Sequence, residues 1–176
     1  MSNNAYIVSA VRTAGGKKNG SLSQWHPADL GAKVLNELVH QTSIDPELID
    51  DVVFGCVDQV GAQSGNVARN AILASTLPES VPGTSVDRQC GSSQQATNLA
   101  YALVASGTVD SAIGCGVELM SQVGFGATIP KEPNAGSPVN RNYFEHFEMT
   151  SQFEGSERIA DHWEITRDDC DAFGKL

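Results

Sequence analysis

Few residues in this chain can do chemistry. The four cysteines, Cys56, Cys90, Cys115 and Cys170, are its strongest nucleophiles, and His26, His40, His146 and His162 its natural proton carriers. Cys90 stands apart by its setting. In SVDRQCGSSQQATNLA it follows a short β-prone run and opens a long stretch of small residues. A thiol at such a strand-to-helix turn meets unpaired N–H groups and a helix dipole, both of which favour the thiolate. Gly91, Ser92 and Ser93 leave room for a substrate to reach the sulfur and the backbone donors that hold a developing oxyanion. The pattern fits nucleophilic catalysis. It also fits a buried structural cysteine, and local chemistry leaves both readings open.

The remaining candidates read as structural. Cys56 and Cys115 lie in apolar strand-like runs and Cys170 in a short helix. No Cys-x-x-Cys pair exists, which argues against zinc and a dense disulfide framework, so reduced thiols are expected. His26 precedes Pro27 where a helix begins, and His162 falls in a polar helical stretch. Gly114-Cys115-Gly116 permits close backbone approach but lacks the third glycine of a dinucleotide fingerprint. Asp168, Asp169 and Asp171 are ordinary acids of a helix first turn, and Lys17-Lys18 a solvated loop pair. No metal site and no cofactor-binding residue is expected.

The elements that position Cys90 alternate. Ala5–Val11 reads as a buried strand. A helix follows from Pro27, with Leu30, Val34, Leu35 and Leu38 on its apolar face. Asp51–Cys56 is a second strand, and Asn66 caps a helix carrying Val67, Ala71 and Ile72. Thr84–Val86 is a third strand, Gly91–Ser106 a helix stopped by Gly107, and Ser111–Val117 a fourth strand. Such alternation predicts an α/β fold with a mostly parallel sheet flanked by helices. The character changes at Met120. Residues 121–150 are aperiodic; then Phe153, Ser156, Ala160 and Trp163 mark a helix, and Thr166 to Asp169 has capping-box spacing.

Composition sets the outer limits. With 176 residues, 40% of them apolar, the chain supports one good core. A formal net charge of −10 argues against a nucleic-acid partner and makes any anionic ligand depend on local donors. No run approaches the ~20 apolar residues of a membrane span. The segment MSNNAYIVSA lacks the features of a signal peptide, so a cytoplasmic protein is expected.

DRQCGSSQQA resembles the nucleophile motif of the thiolases, acyl-CoA C-acyltransferases that make or cleave β-ketoacyl-CoA. AYIVSAVRTAGGKKNGSL is similar to the thiolase N-terminus, with Ala14 where proline is usual. Gly65-Asn66-Val67-Ala68-Arg69 echoes a family motif near the second helix. AIGCGVELMS resembles the strand ending in the family's Gly-Gly-x-Glu-x-Met-Ser pattern. GSERIADHWEITRDDCDAFG resembles the start of the family's loop domain. The resemblance implies that Cys90 is the acyl-accepting nucleophile, its backbone N–H an oxyanion donor, with a coenzyme A thioester as substrate and no cofactor besides. It also implies a homodimer or homotetramer when full length. The ketoacyl synthases share the fold, but Arg88-Gln89-Cys90-Gly91 favours thiolase over decarboxylating condensation.

The family's catalytic Gly-His-Pro histidine and second cysteine do not occur here. The resemblance thus predicts an N-terminal domain at residues 1–120, missing its last strand, and a truncated loop domain at 121–176. The last strand formed would be left as an open edge. A chain of this kind is expected to be inactive alone, and the competing expectation is a non-catalytic partner that assembles with a complementary half.

Overall fold

The computed structural model describes residues 4–176 apart from 130 and 133. Met1 to Asn3, and two prolines of the aperiodic stretch, lie outside the described residues. Among the described residues, six α-helices and three strands follow one another: α1 (Pro27–Thr42), β1 (Asp51–Gly55), α2 (Val67–Leu73), β2 (Gly83–Val86), α3 (Ser92–Ala105), β3 (Ala112–Gly116), α4 (Tyr143–His146), α5 (Gln152–His162) and α6 (Arg167–Phe173). They fall into two compact units, Met1–Ile129 and Pro130–Leu176.

The first unit is the expected α/β structure. Its three strands are parallel, in the order β2-β1-β3, with Val53 opposite both Thr84 and Gly114. Side-chain alternation then divides the two faces. Val52, Phe54 and Cys56 enter a core with Leu35 of α1 and Val67, Ala68, Ala71 and Ile72 of α2. Val53 and Gly55 therefore point the other way, toward α3.

Local chemistry sets each helix. His26 Nδ1 accepts the Ala28 N–H at 3.2 Å and Pro27 occupies the first turn, so α1 begins there; Ser43, at φ 53°, ends it. Asn66 Oδ1 accepts the Arg69 N–H at 3.2 Å and starts α2. Helix α3 has Gly91 at its N-cap and no side-chain cap. In the second unit, Ser151 caps α5, and Thr166 and Asp169 form the capping box that their spacing predicts.

Three glycines bring α3 onto the sheet. A Cβ at Gly55 would lie 2.4 Å from the Ser92 carbonyl carbon, one at Gly114 2.6 Å from Thr97 Cα, and one at Gly116 2.2 Å from Ser93 Oγ. The close approach expected at Gly114 and Gly116 is thus real, and α3 itself makes it.

Two expectations are corrected. Ala5–Val11 is not a buried strand: it has no ladder partner, and Tyr6, Ile7 and Val8 are 78%, 85% and 83% exposed. A β-prone run becomes a strand only beside another strand's free donors and acceptors. Here the segment instead reaches α1, where the Ser9 hydroxyl donates to Gln41 Oε1. The change of unit, read at Met120, falls after Ile129 instead. Leu119 and Val123 are buried in the first unit, Gln122 donates to the carbonyls of Ser23 and Trp25, and Asp58 holds Gly126 and Thr128.

The seat of α3 generates a test. Gly116→Ala places a methyl group where Ser93 Oγ and the Gly55 carbonyl already lie, and should destabilise by about 2 kcal/mol or more. Gly124→Ala, with nothing within 4 Å, should melt like the parent. Equal melting temperatures for the two variants, read by circular dichroism, would contradict the packing described.

Candidate active site

Parallel strands put their carboxyl ends on one edge of the sheet, where ligands of open α/β folds bind. Three segments emerge there: Asp87 to Gly91 after β2, Cys56 to Asp58 after β1, and Val117-Glu118 after β3. The ladder holds them together, since the Cys56 N–H donates to Val86 O and the Val117 N–H to Gly55 O, both at 3.0 Å.

The Cys90 turn is tight. Only five residues, 87 to 91, separate β2 from α3, and Gln89 takes a left-handed φ of 48° to reverse the chain. Asp87 Oδ1 accepts the Gln89 N–H at 2.6 Å. The Gly91 N–H donates to Arg88 O and the Ser92 N–H to Gln89 O. Cys90 is exposed at the turn's outer side, directly before the uncapped N-terminus of the 14-residue α3. The position read from the sequence is the one observed: an exposed thiol at the turn from β2 into α3.

The other thiols are set apart by their surroundings. Burial, reinforced by the negative charges of Glu118, Asp58 and Asp87, pushes the Cys56 thiol up to about 12. Burial also raises Cys115, which points into the α1–α2 face of the sheet. Both stay protonated near neutral pH. Cys170 is exposed on α6.

None of the histidines hydrogen-bonds to the Cys90 turn among the described residues. His26 is occupied as the cap of α1, and His40 lies 3.9 Å from Glu37 on the same helix. His146 and His162 belong to the second unit, each against a neighbouring aromatic ring. Two acids of α6 are engaged as well: Asp169 closes the capping box and Asp171 accepts from Arg167.

Sequence reasoning missed a carboxylate network beside the turn. Glu118 accepts the N–H groups of Val57 (2.7 Å) and Asp58 (3.3 Å) and the Gln63 side-chain amide (2.7 Å). Gln63, fully buried, returns its carbonyl oxygen to the Leu119 N–H at 2.7 Å. Asp58, also buried, accepts from the Gly126 N–H and from the N–H and hydroxyl of Thr128. Its burial alone would raise the carboxyl, but the Thr128 and Gly126 donors outweigh that and hold it below its ordinary value. These groups tie the ends of β1 and β3 together. Their oxygens are spent on backbone and side-chain donors, so the network positions and does not react.

The comparisons agree with this geometry. The family model described as "Thiolase, N-terminal domain" matches residues 5–174. The steroid 3-ketoacyl-CoA thiolase FadA6 of Mycobacterium tuberculosis is 43% identical over 175 residues, covering 96% of this chain and 43% of its own length. The beta-ketoadipyl-CoA thiolase of Pseudomonas aeruginosa is 35% identical, with 98% and 46% covered. The crystal structure of the Bacillus anthracis acetyl-CoA acetyltransferase superposes with a TM-score of 0.71 at 28% identity, over 86% of this chain and 40% of that one. The chain belongs to the thiolase family through its N-terminal domain. It spans less than half the length of the curated relatives it matches.

The depressed Asp58 carboxyl makes stability depend on pH. A carboxyl whose folded pKa lies below its unfolded value of 3.8 stabilises fully above that value, and the contribution is lost as pH falls through the folded pKa. Asp58→Asn should cost about 1–2 kcal/mol near neutrality. Thermal melts from about pH 6 down to about pH 2.5 should show the gap between variant and parent closing. A gap independent of pH would count against the charge-assisted contacts.

Proposed function

We propose that this chain carries the nucleophile half of a thiolase that acts on 3-ketoacyl-CoA thioesters. The thiolate of Cys90 attacks the keto carbon of the substrate, and the bond from that carbon to the thioester-bearing carbon breaks. The electron pair leaves as the acetyl-CoA enolate, which takes up a proton. The acyl group stays on Cys90 as a thioester until the thiol of coenzyme A collects it. Condensation runs the same steps in reverse. The backbone N–H of Cys90, at the head of α3, supplies a donor to the oxyanion formed on attack.

One observation carries the reading: the exposed Cys90 thiol stands at the uncapped N-terminus of α3, at the carboxyl edge of a parallel sheet. Membership of the thiolase family supports it, as do the printed names of the relatives, which share 3-ketoacyl-CoA and related thioesters. On this reading the coenzyme A thioester is substrate rather than cofactor. No metal or nucleic acid takes part, and the whole enzyme is a cytoplasmic homodimer or homotetramer.

General-base assistance is worth about 10²–10⁴-fold and one oxyanion donor about 10²–10³-fold. Without a histidine at Cys90, the 176-residue chain tested alone should accept an acyl group slowly and show no thiolysis of acetoacetyl-CoA. Peptide mass spectrometry after brief exposure to a reactive acyl thioester should place the label on Cys90, and Cys90→Ala should abolish it. Labelling shared evenly with Cys170 would refute the assignment. So would turnover by the parent that survives in Cys90→Ala.

A further inference from the structure

Ser92 is 4% exposed, yet its hydroxyl spans the nucleophile turn. It donates to the Gln89 carbonyl at 2.6 Å and accepts the Arg88 N–H at 3.0 Å. The two peptide groups so bridged, Asp87–Arg88 and Gln89–Cys90, enclose Arg88 and Gln89, and the Gln89 φ of 48° is the one left-handed step between β2 and α3. A side chain other than glycine is disfavoured in that conformation and relaxes from it unless its surroundings hold it. Three contacts hold this one: Asp87 on the Gln89 N–H, and both the N–H and the hydroxyl of Ser92 on the Gln89 carbonyl. Ser92 cannot drift, because its own backbone rests on Gly55 with no space for a Cβ between them. The hydroxyl therefore transmits the position of the sheet to the residue next to Cys90.

We infer that Ser92 is a positioning residue for the Cys90 nucleophile: its hydroxyl locks the left-handed Gln89 and thereby fixes the direction of the thiol. The inference rests on the reading of Cys90 as nucleophile. An ordinary serine in a helix first turn bonds to a nearby backbone group and contributes only to stability. The two roles separate experimentally. If Ser92 acts through Gln89, its removal matters only while residue 89 needs holding.

The test follows iodoacetamide alkylation of Cys90 and Cys170 by peptide mass spectrometry in the folded 176-residue chain near neutral pH. In the parent, Cys90 should react faster than Cys170; equal rates would overturn the nucleophile reading and the inference with it. With Cys90 fast, Ser92→Ala should slow it about tenfold, the weight of one hydrogen bond, and leave Cys170 unchanged. An unchanged Cys90 rate in folded Ser92→Ala would overturn the inference alone. Ser92→Thr keeps the hydroxyl and should restore most of the rate. Gln89→Gly/Ser92→Ala should react within about threefold of Gln89→Gly, because glycine takes the left-handed turn unaided. Additive losses in that pair would also overturn the inference. Where Ser92→Ala does not fold, the Gln89→Gly pair decides; if the double variant is unfolded as well, Ser92 serves global stability and the positioning role falls.

Discussion

The distance between α3 and the sheet governs the rest of the first unit. At Gly55 and Gly114 the helix backbone occupies the space that a Cβ would fill, and at Gly116 the Ser93 hydroxyl does. Contact this close leaves α3 little freedom to slide or tilt, because any shift meets backbone rather than a side chain that can change rotamer. Little apolar volume is buried there, so most of the hydrophobic stabilisation comes from the opposite face, where Phe54, Leu35 and Ile72 pack. One face supplies stability and the other supplies placement. Because α3 begins where β2 has just ended, fixing the helix also fixes Cys90 at the sheet's carboxyl edge.

That edge is crowded with acids, and each answers a local need. Where parallel strands stop pairing, their next N–H groups lose ladder partners, and Glu118 supplies the acceptors for Val57 and Asp58. Asp58 does the same for Gly126 and Thr128, which brings the following segment back over the first unit. The cost is negative potential around Cys56, which adds to burial in holding that thiol protonated. Cys90 is exposed, directly before the N-terminus of α3. With a net charge of −10, binding of any anionic ligand depends on local donors.

What was legible in the sequence was local. His26-Pro27, Asn66 and Thr166 with Asp169 mark helix starts through bonds spanning two or three residues, and those helices begin where read. Cys90 was legible for the same reason, as a turn between a strand and a long helix. The failures were non-local. Ala5–Val11 has strand chemistry, but pairing depends on which strands arrive beside it. Gln63 and Glu118 meet across 55 residues, and neither residue type in a loop announces a partner so distant. Gly114 and Gly116 told of a close approach and nothing of what approaches; the answer lay in α3, already placed on that face by register.

The same contrast explains why a glutamine, and not a glycine, can stand at the strained step before Cys90. A left-handed residue other than glycine costs about 1–2 kcal/mol, and glycine would remove that cost. Glycine would also widen the conformations open to a five-residue link, and the thiol's direction would widen with them. Gln89 excludes most of those alternatives, provided that the one remaining is held. The holding groups are the Asp87 carboxylate from the strand side and the Ser92 hydroxyl from the helix side. Each belongs to an element whose position is set independently, β2 by its ladder to β1 and α3 by its seat on the glycines. Strain at one residue is thus balanced by two rigid bodies. A turn fixed in this way sets the direction of the Cys90 Cα–Cβ bond, and the cost of ordering the turn is met during folding.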